Sequence, residues 1–374
     1  MSIIPLVSFK EENELFKDNF IKSFESNIEK SQYIGGESVE TFEDNIKKYL
    51  GVKFVTGVGN GTDALLISLL SLKIKHGLQK GKIIVTSFSF FSTSETILQA
   101  GFEPIFIDVQ VSNGNIDHDL IEDSILINND VVGILPVHLY GKPCDMKNLM
   151  RIKNKYNIFL LEDVAQAFGG SYKNKKLGTI GDMGAFSFFP SKILGALGDG
   201  GLVATNDEEL YNYAKMLKNH GSKKKYENEL VGMNSRLDSI QANFLNIKLK
   251  KIDYLLEQRK EKSESYINFL KEVKGITLLD YSESVINYFV IRVPEHRDLL
   301  IDFLSKENIG TAIYYPTPLP YLKVHNELER DFPKATVLSN EVIALPFWPL
   351  MDGEIIERVS TKLGNFFQSL NSNT

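Results

Sequence analysis

Between about residues 53 and 205 the chain alternates short runs of β-branched and aromatic residues with longer helical patterns, which restricts it to a few sheet architectures. Residues 53–58, 82–86, 104–108, 131–136, 158–162, 185–189 and 201–205 read as strands. Between several of them lie amphipathic segments such as 64–72 and 145–156. Repeated strand and helix alternation implies a mostly parallel sheet covered by helices on both faces. Such sheets take ligands at the carboxyl ends of their strands, so site residues are expected in the loops that follow strands.

After residue 206 the pattern turns helical, with 207–219 and then a long segment, 235–270. There Leu237, Ile240, Phe244, Ile247, Leu249 and Ile252 recur at spacings of a buried helical stripe, which predicts one helix bridging two domains. The last part alternates again: strand 285–293, helix 297–307, strand 311–315 and helix 352–370. The expected division is a large domain over 1–250 and a small α+β domain over 251–374.

With 43% hydrophobic and 24% charged residues, the 374-residue chain can bury a substantial core. Its net charge of -6 disfavours nucleic acid as a partner, although Lys223-Lys224-Lys225 offers either a contact for a phosphorylated substrate or a solvated loop. A single cysteine, Cys144, excludes an intrachain disulfide framework and fits a reducing compartment. No cationic-then-apolar leader opens the chain and no uncharged apolar run reaches ~18 residues. A cytoplasmic protein with no membrane partner is expected. The six histidines show no metal-ligand spacing, so no metal is expected, and His138 and His220 read as structural or peripheral.

One amine stands out. Ala185-Phe-Ser-Phe-Phe-Pro-Ser-Lys192 runs into Gly195-Ala-Leu-Gly-Asp-Gly-Gly201, so a strand delivers Lys192 to the edge of a loop poor in side chains. Lysines in such settings form imines with aldehydes when their surroundings favour the neutral amine. The plain alternative is a surface lysine at a strand end. Twenty-nine residues earlier, an apolar run ends at Glu162-Asp163, with Gln166 three positions beyond. A carboxylate so placed can keep a pyridine nitrogen protonated, and the same residues suit an N-cap aspartate opening a helix.

Gly57-Val-Gly-Asn-Gly61-Thr62-Asp63 follows a strand and opens a helix, a setting that holds phosphate. A helix capped near Thr62 or Asp63 fits the same residues. The dinucleotide fingerprint fails at Thr62, and a Walker A loop is absent. In the hydroxyl-rich run 85–94, Phe90 or Phe91 suits a ring lying over a planar cofactor, or simply the core. Asn234, Arg236, Asp238 and Gln241 cluster at the start of the long helix, which suits anion binding, an intersubunit contact or helix capping. Ser187 lacks the G-x-S-x-G setting of a hydrolase nucleophile.

In order and spacing, GNGTDAL, EDVAQAFG, GAFSFFPSK with GALGDGG, HGSKKKY and GMNSRLDSIQA resemble the DegT/DnrJ/EryC1/StrS family of sugar aminotransferases, over about residues 10–370. The resemblance implies an α/β, fold-type I transferase, aspartate aminotransferase-like, dependent on pyridoxal 5'-phosphate. It assigns Lys192 the covalent bond to the cofactor's aldehyde, Asp163 the pyridine nitrogen, Gln166 the phenolic oxygen and Phe90 the stacking ring. Gly61, Thr62 and Ser187 match the phosphate cup, and Asn234 an asparagine added to that cup by the neighbouring subunit, which implies a homodimer with shared sites. Arg236, Tyr314 and Tyr315 correspond to positions that reach the nucleotide sugar across the dimer interface; several relatives have His where Tyr314 stands, which leaves its role open.

The implied reaction moves an amino group from L-glutamate, leaving 2-oxoglutarate, to a nucleotide-linked keto sugar. SFFPSK, the Phe-rich 88–91 segment and NSRLD look more like enzymes acting at carbon 3 than at carbon 4. The nearest pattern is that of UDP-2-acetamido-2-deoxy-3-oxo-glucuronate aminotransferases, followed by dTDP-3-oxo-6-deoxyhexose 3-aminotransferases, both feeding surface polysaccharide synthesis such as the O-antigen of lipopolysaccharide. Dehydratases of this fold carry histidine in place of Lys192. A non-catalytic regulatory protein and an amino acid aminotransferase are the other rivals.

Overall fold

All seven expected strands join one sheet, with ends displaced by two residues at most: β1 (Phe54–Val58), β2 (Lys82–Thr86), β3 (Glu103–Ile107), β4 (Val131–Leu135), β5 (Phe159–Asp163), β6 (Met183–Ser187) and β7 (Gly201–Thr205). The structure, a computed structural model, describes residues 3–325 and 330–372. Strand order is β1-β7-β6-β5-β4-β2-β3. Neighbours run parallel except β7, which is antiparallel to both β1 and β6. Gly201 pairs with Val58 on one side and Ser187 on the other, so β1 and β6 end where β7 begins. That carboxyl edge, with Asp163 closing β5, is where the fold gathers its loops.

The strands are apolar almost throughout because both faces are covered. Met183 and Ala185 face one cluster and Phe186 another; Val203 and its neighbours Leu202 and Ala204 divide the same way. In β2, Ile83 and Val85 oppose Ile84. This period of two is dictated by the pleat. The helix Gly61–Lys75 has no exposed residue, so the amphipathic character expected of 64–72 is not realised: the helix is packed between the sheet and the helices Ser92–Gln99 and Glu208–Leu217. Its cap is Asn60, not Thr62 or Asp63; the Asn60 side chain accepts from the Asp63 N–H at 2.8 Å.

Three expectations are corrected. Segment 235–270 is two helices, Ser239–Leu249 and Ile252–Leu270, broken at Lys250-Lys251. Ala242 and Leu245 pack on the sheet, whereas Tyr266 and Leu270 pack in the C-terminal core, and one straight stripe cannot face both. No helix follows Asp163; residues 164–170 form turns, so the N-cap reading fails. Residues 311–315 form no strand, and only Ala312 bridges to Ala344. Tyr140 Oη donates to the Tyr314 carbonyl, which a ladder would otherwise use.

The C-terminal sheet is β8 (Thr277–Leu278), β9 (Phe289–Arg292) and β10 (Val342–Leu345), antiparallel throughout. Helices Arg297–Lys306 and Gly353–Ser372 bury Leu300, Leu304, Val359 and Leu363 with Phe289 and Ile343. Ile4 packs in this same core, while Leu319, Phe332 and Leu338 pack against the large sheet.

Glu162, fully buried on β5, accepts from the N–H groups of Gly178 (2.8 Å), Ile180 (2.8 Å) and Gly181 (2.7 Å) and faces His138 Nε2 at 3.2 Å. His138 Nδ1 accepts from the Cys144 N–H, so Nε2 carries the hydrogen offered to Glu162. His138 is thus structural. Removing Glu162 would orphan three amides; Glu162→Ala should cost about 3–5 kcal/mol of stability, read as a lowered denaturant midpoint, with Glu162→Gln costing less.

Candidate active site

A cavity of 720 Å³ opens at the carboxyl edge of β1, β5 and β6. Nine of the eleven expected residues line it: Gly61, Thr62, Phe90, Asp163, Gln166, Ser187, Lys192, Tyr314 and Tyr315. Asn234 and Arg236 do not. Both are exposed, and Arg236 lines a separate groove beside helix Glu208–Leu217.

Asp163 is buried and accepts from the Ala165 N–H and from Thr93 Oγ1, each at 3.1 Å. Burial pushes its pKa above the usual carboxylate range; these two hydrogen bonds and the charge of Lys192 oppose the rise without cancelling it. Lys192 lies in a turn beyond β6, closed by Lys192 N–H to the Phe189 carbonyl (2.8 Å) and Ala196 N–H to the Phe188 carbonyl (2.7 Å). Its Nζ donates to the Tyr288 hydroxyl at 3.4 Å and sits 5.3 Å from that ring's centre. Burial alone would raise the Tyr288 pKa, but the Lys192 charge and the hydrogen bond to Ser191 outweigh it and bring the phenol below its ordinary value.

Gln166 is a buried bridge. Its Oε1 accepts from the Tyr140 N–H at 2.8 Å and its Nε2 donates to Tyr315 Oη at 2.9 Å. The Tyr315 ring lies 6.1 Å from Phe90 and the Tyr314 ring 4.7 Å from Tyr288. Phe90 is 57% exposed on the cavity wall, so it is not a core residue. Opposite, the helix beginning at Gly61 presents its first turn. A Cβ on Gly61 would lie 2.6 Å from Ser187 Cβ, so only glycine lets the helix start abut the end of β6. Thr62 Oγ1 and Ser92 Oγ are 2.8 Å apart. Hydroxyls and the positive end of a helix dipole thus converge, a setting for a phosphate.

Tyr288, Thr93 and Asp199 also reach this cavity, and sequence reasoning did not assign them. Thr93 lies in the hydroxyl-rich run after β2, which was a usable signal. Tyr288 sits 96 residues beyond Lys192, immediately before β9 of the C-terminal sheet, and no local pattern marks it.

The family model of the DegT/DnrJ/EryC1/StrS aminotransferases matches residues 15–364. The chain belongs to that family. A dTDP-3-amino-3,6-dideoxy-alpha-D-galactopyranose transaminase of Aneurinibacillus thermoaerophilus is 37% identical to it, over 96% of this chain and 98% of the relative. A pleiotropic regulatory protein of Geobacillus stearothermophilus is 34% identical, over 98% and 99%. A UDP-2-acetamido-2-deoxy-3-oxo-D-glucuronate aminotransferase of Pseudomonas aeruginosa is 31% identical, over 97% and 100%. Among solved structures, S. venezuelae DesV in complex with a ketimine intermediate superposes with a TM-score of 0.93 at 30% identity, covering 98% of this chain and 99% of that one.

The cofactor of this aminotransferase family is pyridoxal 5'-phosphate, and the cavity fits it. The Gly61 cradle with Thr62 and Ser187 suits the phosphate, Phe90 the ring face, Asp163 the ring nitrogen and Lys192 the aldehyde carbon. Among the described residues no cluster of His, Cys, Asp and Glu could hold a metal ion, and no helix is long and apolar enough to cross a membrane.

The Lys192 charge makes Tyr288 the early-ionising tyrosine here. In an ultraviolet titration of the cofactor-free protein, Lys192→Met should move that phenol to higher pH and Tyr288→Phe should delete it. A titration identical in all three proteins would exclude the contact.

Proposed function

We infer that the protein transfers the amino group of L-glutamate to carbon 3 of a nucleoside-diphosphate-linked keto sugar, leaving 2-oxoglutarate. The observation that carries this reading is a lysine amine and a buried carboxylate, Lys192 and Asp163, sharing one cavity with the helix start at Gly61. Bound pyridoxal phosphate supplies an electron sink for the reacting carbon. Lys192 Nζ takes the proton from the donor's α-carbon and, in the second half, delivers one to sugar carbon 3. Tyr288 Oη, accepting from Nζ, aims the amine. Asp163 faces the ring nitrogen as a carboxylate counter-charge, and the buried setting strengthens its attraction for a protonated ring while that positive charge offsets the cost of burying the carboxylate. Lys192→Ala should lose at least ~10²–10⁴ in turnover, the contribution of a positioned proton-transfer group. Amino-sugar formation from glutamate, followed by mass spectrometry, checks this.

Asn234 and Arg236 are assigned to the site of a second copy in a homodimer. They flank Ser235, whose Oγ accepts from the Gly59 N–H at 2.9 Å and so ties their segment to the loop leading into Gly61. Mixing Lys192→Ala chains with Arg236→Ala chains should restore activity that neither variant shows alone, because one site of a mixed dimer is then intact. No restoration means that each site is built from one chain.

The cavity wall favours a dTDP-3-oxo-6-deoxyhexose over the uronate. Among the described lining residues Lys192 is the sole cation, beside Asp63, Asp163 and Asp199, so this chain offers a uronate carboxylate no spare counter-charge. The Aneurinibacillus relative, at 37% identity, supports the same choice. UDP-2-acetamido-2-deoxy-3-oxo-glucuronate is the second reading, in which Arg236 of the neighbouring copy supplies the counter-charge. Both substrates would feed surface polysaccharide synthesis. A panel of UDP- and dTDP-linked 3-keto sugars assayed with glutamate decides between them. Absence of the cofactor's visible band would favour a regulatory role of the kind the Geobacillus relative is named for.

A further inference from the structure

Three buried charges that the reaction does not use stand behind the segments carrying Lys192 and Tyr288. Lys248, 2% exposed, forms an ion pair with Glu12 of the first helix, Lys10–Lys30, and its Nζ donates to the Gly195 carbonyl at 2.9 Å. Gly195 packs so closely that a Cβ there would lie 2.1 Å from the Pro190 carbonyl oxygen. Residues 190–195 therefore form one tight loop with Lys192 inside it. Arg259, 4% exposed, donates from Nη1 to the carbonyls of Ile286 and Asn287, both at 3.3 Å, immediately before Tyr288. Burial opposes the charge on Lys248 and on Arg259, whose pKa falls to about 10, and Glu12 is the carboxylate that counters it at both.

A buried ion pair contributes little net stability compared with apolar side chains of similar volume. Stability alone is thus a weak reason for placing three charges here. Each cation instead grips the backbone of a segment that carries one partner of the Lys192–Tyr288 contact, and the carboxylate paired with Lys248 also favours the charge on Arg259. We propose that Glu12, Lys248 and Arg259 form an ionic clamp that positions Lys192 and Tyr288 for proton transfer. These are positioning residues, since none lines the cavity. The kinetic consequence rests on the aminotransferase reading, whereas the structural consequence does not.

Hydrogen exchange on the full cofactor-free chain separates the two. Lys248→Met should speed exchange over residues 190–197, Arg259→Met over 284–289, and Glu12→Gln over both, with β5 unchanged in all three. In the loaded enzyme Lys248→Met should lower kcat by ~10- to 100-fold, the cost of a small misplacement of a reacting group, with KM for glutamate nearly unchanged. Lys248→Arg, which keeps charge and donor, should restore most of it. If Lys248→Met does not fold, Lys248→Gln makes the same comparison. Uniform exchange changes across the chain, or Lys248→Met with unaltered protection at 190–197, would overturn the clamp. An inactive wild type showing the segment-specific exchange would overturn the aminotransferase reading and leave the clamp standing.

Discussion

Two consecutive carboxylates end the central strand β5, and burying both is the constraint on which the rest of the site depends. Glu162 and Asp163 point to opposite faces because successive side chains of a strand must. Each face then has to supply its own donors, since an unpaired buried carboxylate is costly. On one face three amides of the turn 178–181 and His138 close around Glu162, which fixes the entry into β6. On the other, Thr93 and Ala165 only partly satisfy Asp163. The residual demand for a donor and a positive charge on that side is what a protonated ring nitrogen can meet.

The sheet then determines where the other groups stand. Because β7 is antiparallel between β1 and β6, the ends of β1 and β6 are brought into register through Gly201. Gly61 can touch Ser187 only because it has no side chain. The helix start at Gly61, the carboxylate and the amine thus share one edge, although Gly61 and Lys192 are 131 positions apart in the chain.

Much of this was legible before the structure. The strands of the central sheet were readable because, buried on both faces, they are nearly unbroken apolar runs. The lysine and carboxylate were readable because each sits directly after such a run. The helix stripe across residues 235–270 misled, since apolar spacing says that a face is buried but not which core it faces. Residues 311–315 misled for a related reason: β-branched and aromatic residues there turn toward a cavity instead of a ladder. Phe90 was left open between core and cofactor wall by its neighbours, and its exposure agrees with the wall position that the family resemblance gave it.

The sequence by itself determined the sheet, the family and the chemical inventory of the site, because these follow from local periodicity and from short motifs that fold as units. Only the tertiary structure brought Tyr288 to Lys192 and Gln166 to Tyr315, and placed Glu12 and Lys248 behind the lysine's loop. Those contacts join distant segments through burial and hydrogen bonding, and no local pattern encodes which distant donor a buried group will find. Asn234 and Arg236, which the family resemblance gave to a neighbouring subunit's site, lie outside this chain's own cavity.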